Sequence, residues 1–186
     1  MWTPSASLVL AVAALVVIGW YLTFSASRLD RLHARLEGAR SALDAQLVRR
    51  ASVALQIASS GRLDPATGLL LADAAHYARE SDGADPPVRE SAESDLTRAL
   101  SAAFADSSLA DELSGDLVGR ELLHELGSAC LRVALARRFL NEVVRSARVV
   151  RRKRVVRYLR LAGHAPWPQT FEINDTPPQS LSSAAG

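Results

Sequence analysis

The chain has 186 residues, enough for one ordinary domain with an attached segment, and its 48% hydrophobic content suffices for a core. Basic and acidic residues nearly cancel to a net charge of +2, so total charge points to no class of partner. Cys130 is the single cysteine, which excludes an intramolecular disulfide, a cysteine-based zinc site and a CxxC redox pair, and fits a reducing compartment. Charge is distributed unevenly: Glu80 to Glu125 carries twelve acids against three arginines, whereas Arg145 to Arg160 carries eight basic residues and no acid. Lys153 is the one lysine in an arginine-rich chain, a usage typical of GC-rich bacterial coding.

"SASLVLAVAALVVIGWYLTF", residues 5–24, is uncharged and about as long as a helix that crosses the roughly 30 Å hydrocarbon layer. Trp2 at one end and Trp20 with Tyr21 at the other stand where amphipathic rings favour headgroups. Ser25, Ala26 and Ser27 could mark a processing site, but no Lys or Arg precedes the run and Trp20, Tyr21 and Phe24 crowd that position. The expectation is a retained single span over 5–24. Arg28, Arg31, Arg35 and Arg40 follow it, and the positive-inside bias puts residues 1–4 outside and the body, 25–163, in the cytoplasm of an inner-membrane protein.

Beyond the apolar run, Leu29, Leu32, Leu36, Ala39, Leu43, Leu47, Ala51, Ala54 and Ala58 recur at helical spacing, a stripe that ends at Ser59-Ser60-Gly61. Asp64-Pro65 is an N-cap with proline at the first helical position, opening a segment to Glu80 whose Leu69, Leu70, Ala74 and Tyr77 share a face. "SDGADPP" ends it, and a third helix is predicted over 88–104 with Leu96, Leu100 and Phe104 in line. Residues 105–119 read as a loop with a helical turn. A long last helix is predicted over 118–162, with Leu122, Leu126, Ala129, Val133, Ala136, Leu140 and Val144 facing the core. Gly163 and Pro166 stop it, and residues 164–186 read as an extended tail that becomes disordered. No stretch alternates with period two. The predicted fold class is all-α: a transmembrane helix followed by an antiparallel bundle of three or four helices.

Two stretches carry a family resemblance. "LHARLEGARSALDAQLVRR" places Arg35, Ala39, Leu43, Asp44, Gln46, Leu47, Arg49 and Arg50 at the positions of the pattern R-x3-A-x3-(I/L)-D-x-Q-L-x-R-R, and "ARRFLNEVVR" supplies Ala136, Arg137, Arg138, Phe139, Asn141, Glu142, Val144 and Arg145. "TFEI" at Thr170 to Ile173 stands where a Y-F-E tail is frequent. These patterns resemble the first and last helices of LemA-like proteins, and the order of parts agrees; Arg40 stands where that family commonly has Trp. The resemblance implies a helical body with no assigned biochemical activity, acting through an unidentified protein partner and able to oligomerise. Asp44, Gln46, Arg49 and Arg50 would lie level with Arg137, Arg138, Asn141 and Glu142 in antiparallel helices, as an interhelical network fixing register or, in the other reading, as a polar ligand site.

A different string invites an enzymatic reading. Glu112, Arg120, Glu121, Leu122, Glu125 and Gly127 match part of a Nudix box, which resembles a magnesium-dependent nucleoside diphosphate hydrolase. Asp106 replaces its opening glycine, Ser128 its closing aliphatic and His124 one of its paired glutamates, removing a hard oxygen ligand, and no strands supply the sheet in which that box works. The expectation is therefore a bundle helix, with no catalytic, cofactor or metal residues; the hydrolase is the alternative.

The basic arm divides between a solvated face and contact with anionic lipid headgroups through Arg148, Arg151, Arg152, Lys153, Arg154 and Arg157, joined by Arg28, Arg31 and Arg35. Tyr158 is its sole aromatic, so a stacking platform for nucleic acid is lacking. His33, His76 and His164 are isolated, with no metal-binding spacing, and Cys130 falls in line with Leu126 and Val133 as a core residue.

Overall fold

The computed structural model describes residues 4–106, 108–152, 167–178 and 180–181, and all regular structure among them is helical. The order is α1 (Pro4–Ala58), α2 (Pro65–Glu80), α3 (Pro86–Ala103), α4 (Ser108–Ser114) and α5 (Leu117–Arg151). Residues 153–166, which include the expected end of the last helix, lie outside the described residues.

The expected membrane span is overturned. Among the described residues no helix is long and apolar enough to cross a membrane. Residues 4–58 nevertheless form one continuous helix. The transmembrane helix over 5–24, the single-pass inner-membrane location and the assignment of outside and cytoplasmic sides fall with it. Within residues 5–24 Leu8, Val9, Leu15 and Val16 are exposed.

Helix boundaries follow local chemistry. Asp64 caps α2, its Oδ1 accepting from the backbone N–H groups of Ala66 and Thr67 at 3.1 Å each, ahead of Pro65 with its preset φ. Gly61 and Gly83 take φ of 72° and 76°, a left-handed turn that a side chain resists. At the start of α5 Asp116 Oδ1 accepts from Gly119 N at 2.7 Å while its other oxygen pairs with Arg62. The weak stretch between α3 and α5 folds as α4, which buries Leu109, Ala110 and Leu113.

The chain divides into two compact units, residues 1–38 with 142–169 and residues 39–141 with 170–186. In the first, Leu36 of α1 and Val143, Val144, Ala147 and Val150 of α5 are buried. The second holds the main core: Val53, Ala54 and Ile57 of α1, Leu71 and Ala75 of α2, Leu96 and Leu100 of α3, Leu113 of α4, Leu126 and Cys130 of α5, and Leu181. The α3 and α5 stripes face inward as their spacing requires. The face of α2 differs from expectation, because Leu69, Leu70 and Tyr77 are exposed and the helix instead buries Gly68, Leu71, Ala75 and Ala78. Three consecutive leucines leave the phase undefined; the face that is buried carries the small residues Gly68, Ala75 and Ala78, with Gly68 against the backbone oxygen of Ala58.

Candidate functional site

Except for Glu142, the polar residues singled out in the first and last helices lie in the second unit, where they divide among several partners. Arg50 is buried with its guanidinium spread over α3: Nη2 donates to Glu93 Oε2 at 2.7 Å and to the Glu93 carbonyl at 3.1 Å, and Nη1 donates to Thr97 Oγ1 at 3.0 Å. One turn earlier Arg89 Nη1 stands 3.0 Å from both Asp44 and Asp82. Burial pushes the Glu93 carboxyl above its ordinary range, and the adjacent Arg50 guanidinium offsets part of that rise. Asp44 is likewise raised, by burial first, with Arg89 opposing and Asp82 reinforcing.

Arg49 pairs with Glu125 at 2.6 Å and Arg132 Nε donates to Gln46 Oε1 at 3.1 Å, so α1 and α5 are antiparallel here. Among the described residues, the level network expected between Asp44, Gln46, Arg49 and Arg50 on one side and Arg137, Arg138, Asn141 and Glu142 on the other is not formed. Arg138 and Phe139 are exposed, and Glu142, at the edge of the first unit, pairs with Arg145 at 3.2 Å.

Arg137 and Asn141 instead hold the C-terminal segment. The Asn141 side chain acts as a strand edge toward Phe171: Nδ2 donates to the Phe171 carbonyl at 3.1 Å and Oδ1 accepts from the Phe171 N–H at 2.9 Å. Arg137 forks onto Asp175, with Nε to Oδ2 at 2.8 Å and Nη2 to Oδ1 at 3.1 Å. From α3, Glu90 Oε1 accepts from Glu172 N at 2.9 Å and Ser94 Oγ from Asn174 N at 3.2 Å. Residues 167–178 have no regular secondary structure, residues 171–175 among them are bonded to α3 and α5, and Leu181 beyond them is buried in the core. Sequence reasoning passed over Arg89, Glu93 and Thr97, although their four-residue spacing in an otherwise apolar phase of α3 was the available signal.

In the first unit Arg28, Arg31, Leu32 and Arg35 of α1 and Ser146, Val149 and Val150 of α5 line a cavity of about 510 Å³. None of these three arginines has an ion pair among the described residues. Of the basic arm, Arg148 Nε donates to the Pro168 carbonyl at 2.8 Å, Arg151 lies 5.4 Å from the Trp167 ring centroid and Arg152 is exposed; Lys153, Arg154 and Arg157 lie outside the described residues.

The Nudix-like residues do not converge. Glu112 is exposed on α4, Glu121 is exposed on α5, and Glu125 is committed to Arg49. Leu122 packs on the core and Gly127 is buried, while Arg120 and His124 are exposed. No three or more His, Cys, Asp or Glu side chains among the described residues group as a metal site. His33 is half-buried, and His76 pairs with Glu80 at 3.1 Å on the surface of α2. Burial pushes the Cys130 thiol up, consistent with a packing role.

No family model matches the chain, and neither a curated protein nor a solved structure matches it.

Proposed function

We propose that the chain is a helical interaction module of the LemA-like kind, with no catalytic role, that docks a partner protein on α5. The observation that carries this reading is a row of large apolar side chains left in solvent: Leu131, Leu135 and Phe139 are 51%, 54% and 56% exposed at successive four-residue steps, hence on one face. On a helix whose other face already fills the core, such a row is what an amphipathic partner helix covers. A photo-crosslinking residue at Leu131 should give a defined adduct in the native cell, and Leu135→Asp should abolish it while leaving the helical circular dichroism unchanged. An adduct insensitive to Leu135→Asp, or none at all, overturns the reading; an adduct of twice the chain mass identifies a second copy as the partner. Magnesium-dependent phosphate release that disappears in Glu125→Gln would replace the reading with the hydrolase.

The arginine-lined cavity of the first unit supports a second contact, with anionic headgroups. Three cations above apolar Leu32, Val149 and Val150 suit a phosphate attached to a hydrocarbon chain. At about 1 kcal/mol for each arginine, replacing Arg28, Arg31 and Arg35 together by Gln should weaken binding to anionic vesicles about a hundredfold. Equal sedimentation of the unaltered chain with neutral and anionic vesicles at low salt removes this contact.

A further inference from the structure

The clamp on the C-terminal segment has the chemistry of a peptide-recognition site. Its contacts reach the occupant's backbone at three residues: Asn141 takes both the N–H and the carbonyl of Phe171, Glu90 takes the N–H of Glu172, and Ser94 takes the N–H of Asn174. Backbone capture of this kind secures an extended chain of almost any sequence, and specificity then comes from side chains at fixed offsets. Here the offset is set by Arg137, whose planar fork closes on the Asp175 carboxylate four residues beyond the clamped Phe171, with the Glu172 carboxylate 3.7 Å from the same guanidinium.

The groups that make the site stand on two helices, α3 and α5. Asn141 is 3% exposed and its amide is fully engaged by the occupant, since Nδ2 also lies 3.4 Å from Glu172 Oε1. Arg137 is mostly buried, so without a carboxylate facing it the charge is stranded against the helices. Ser94 is oriented by donating its hydroxyl proton to the Glu90 carbonyl at 2.7 Å, which turns its lone pairs toward the occupant. The occupant alternates along this stretch: Glu172, Asn174 and Thr176 are exposed, Phe171, Ile173 and Asp175 are half-buried, and burial is complete at Leu181. Lifting residues 170–176 from the clamp loses its polar bonds and the partial burial of Phe171 and Ile173, while Leu181 lies beyond them in the core.

The geometry points to the groove formed by Glu90 and Ser94 of α3 with Arg137 and Asn141 of α5 as a docking site for an extended acidic peptide of a partner protein, of the type aromatic-Glu-x-x-Asp, for which the chain's own residues 171–175 are the resident competitor. Charge complementarity selects this occupant, because the clamp offers one buried cation at the spacing of the acids and asks only for backbone atoms elsewhere. The inference rests on the interaction-module reading and names its partner class at a surface separate from the Leu131, Leu135 and Phe139 row.

The test uses the full chain and a fluorescein-labelled peptide, Thr-Phe-Glu-Ile-Asn-Asp-Thr-Pro-Pro, read by fluorescence anisotropy. Asp175→Asn in the chain weakens the resident segment without touching the groove, so it should tighten binding of the unaltered peptide about tenfold or more, as the open fraction rises. The same peptide carrying Asp175→Ala should bind neither chain, and Ser94→Ala, on a partly exposed side chain, should weaken the peptide in the Asp175→Asn background with the helical circular dichroism unchanged. Equal affinity of the unaltered and Asp175→Asn chains for the peptide overturns the inference, as does an Asp175→Ala peptide that binds as well as the native one. A concentration-dependent dimer of the Asp175→Asn chain by light scattering also overturns it, assigning the groove to the tail of a second copy. Failure of these measurements leaves the crosslink at Leu131 intact, so the two readings fail separately.

Discussion

Replacing Glu93 by Ala should destabilise the second unit more than any surface change. Both side chains of the Arg50 and Glu93 pair are 2% exposed and their charged atoms are 2.7 Å apart. At an effective dielectric near 20 that separation corresponds to a gross attraction of about 6 kcal/mol. Withdrawing each ion from water costs several kcal/mol, so the intact pair contributes little net stability; its loss is a different matter. Glu93→Ala leaves the Arg50 guanidinium buried with Thr97 Oγ1 and a backbone carbonyl as its acceptors, and Arg50 Nε already has no hydrogen-bond partner. The expected cost is about 3–5 kcal/mol, which at a urea slope of about 2 kcal/mol/M lowers the midpoint by about 1.5–2.5 M. The double replacement Arg50→Met with Glu93→Leu should restore the midpoint to near or above its original value, because an apolar pair of similar volume needs no desolvation. Burial raises the Glu93 carboxyl above its ordinary 4.5. The folded state therefore binds that proton more tightly than the unfolded chain, and the Glu93 contribution falls as pH rises from 4.5 through the folded value; Glu93→Gln removes this slope. A Glu93→Ala midpoint within about 0.5 M of the original would show that water reaches Arg50 and would refute the reasoning.

Three further outcomes follow from the same geometry. A Cβ at Gly119 would collide with the Leu113 backbone oxygen, so Gly119→Ala should cost about 1–3 kcal/mol in thermal unfolding, and an unchanged melting temperature refutes the close packing of α4 on α5. The Asp64 carboxyl is held below its ordinary 3.8 by its hydrogen bonds to Thr67 and Ala66, so the stability it lends is present above that pH and lost as pH falls through the lowered value. The melting-temperature gap between the natural chain and Asp64→Asn, which keeps the cap but cannot titrate, should accordingly close between pH 5 and pH 2; a constant gap contradicts the assignment. Cys130, buried and with its thiol pushed up, should react with a disulfide reagent at pH 8 on the order of a hundredfold more slowly in the folded chain than in urea, and equal rates would place it at the surface.

The helical order of the chain was legible because its signals are local. Asp64-Pro65 opens α2, the steps from Leu96 to Phe104 set the buried phase of α3, and the Leu126 to Val144 spacing sets that of α5. What sequence periodicity could not supply was the choice among equivalent faces or partners. Leu69, Leu70 and Leu71 are interchangeable to a periodicity argument, and it is Leu71 that shares the buried face with Gly68, Ala75 and Ala78. Residues 5–24 have the composition of a span, yet no helix among the described residues is long and apolar enough to cross a membrane.

Arg137 and Asn141 show why matching motif positions does not amount to finding a site. Their four-residue spacing places both on one face of α5, which a sequence does reveal. Charge alone then suggests the nearest set of polar residues on another helix, and Asp44, Gln46, Arg49 and Arg50 were available. Geometry assigns them elsewhere, since Asn141 needs a donor and an acceptor from one peptide unit and Arg137 needs a carboxylate at a fixed remove. The Phe171 backbone with Asp175 meets both demands, while Arg50 finds its own carboxylate in Glu93. A buried amide side chain one turn from a buried arginine therefore reads better as a receptor for extended backbone than as half of an ionic lattice, and the acids spaced along residues 170–176 were its counterpart in the sequence.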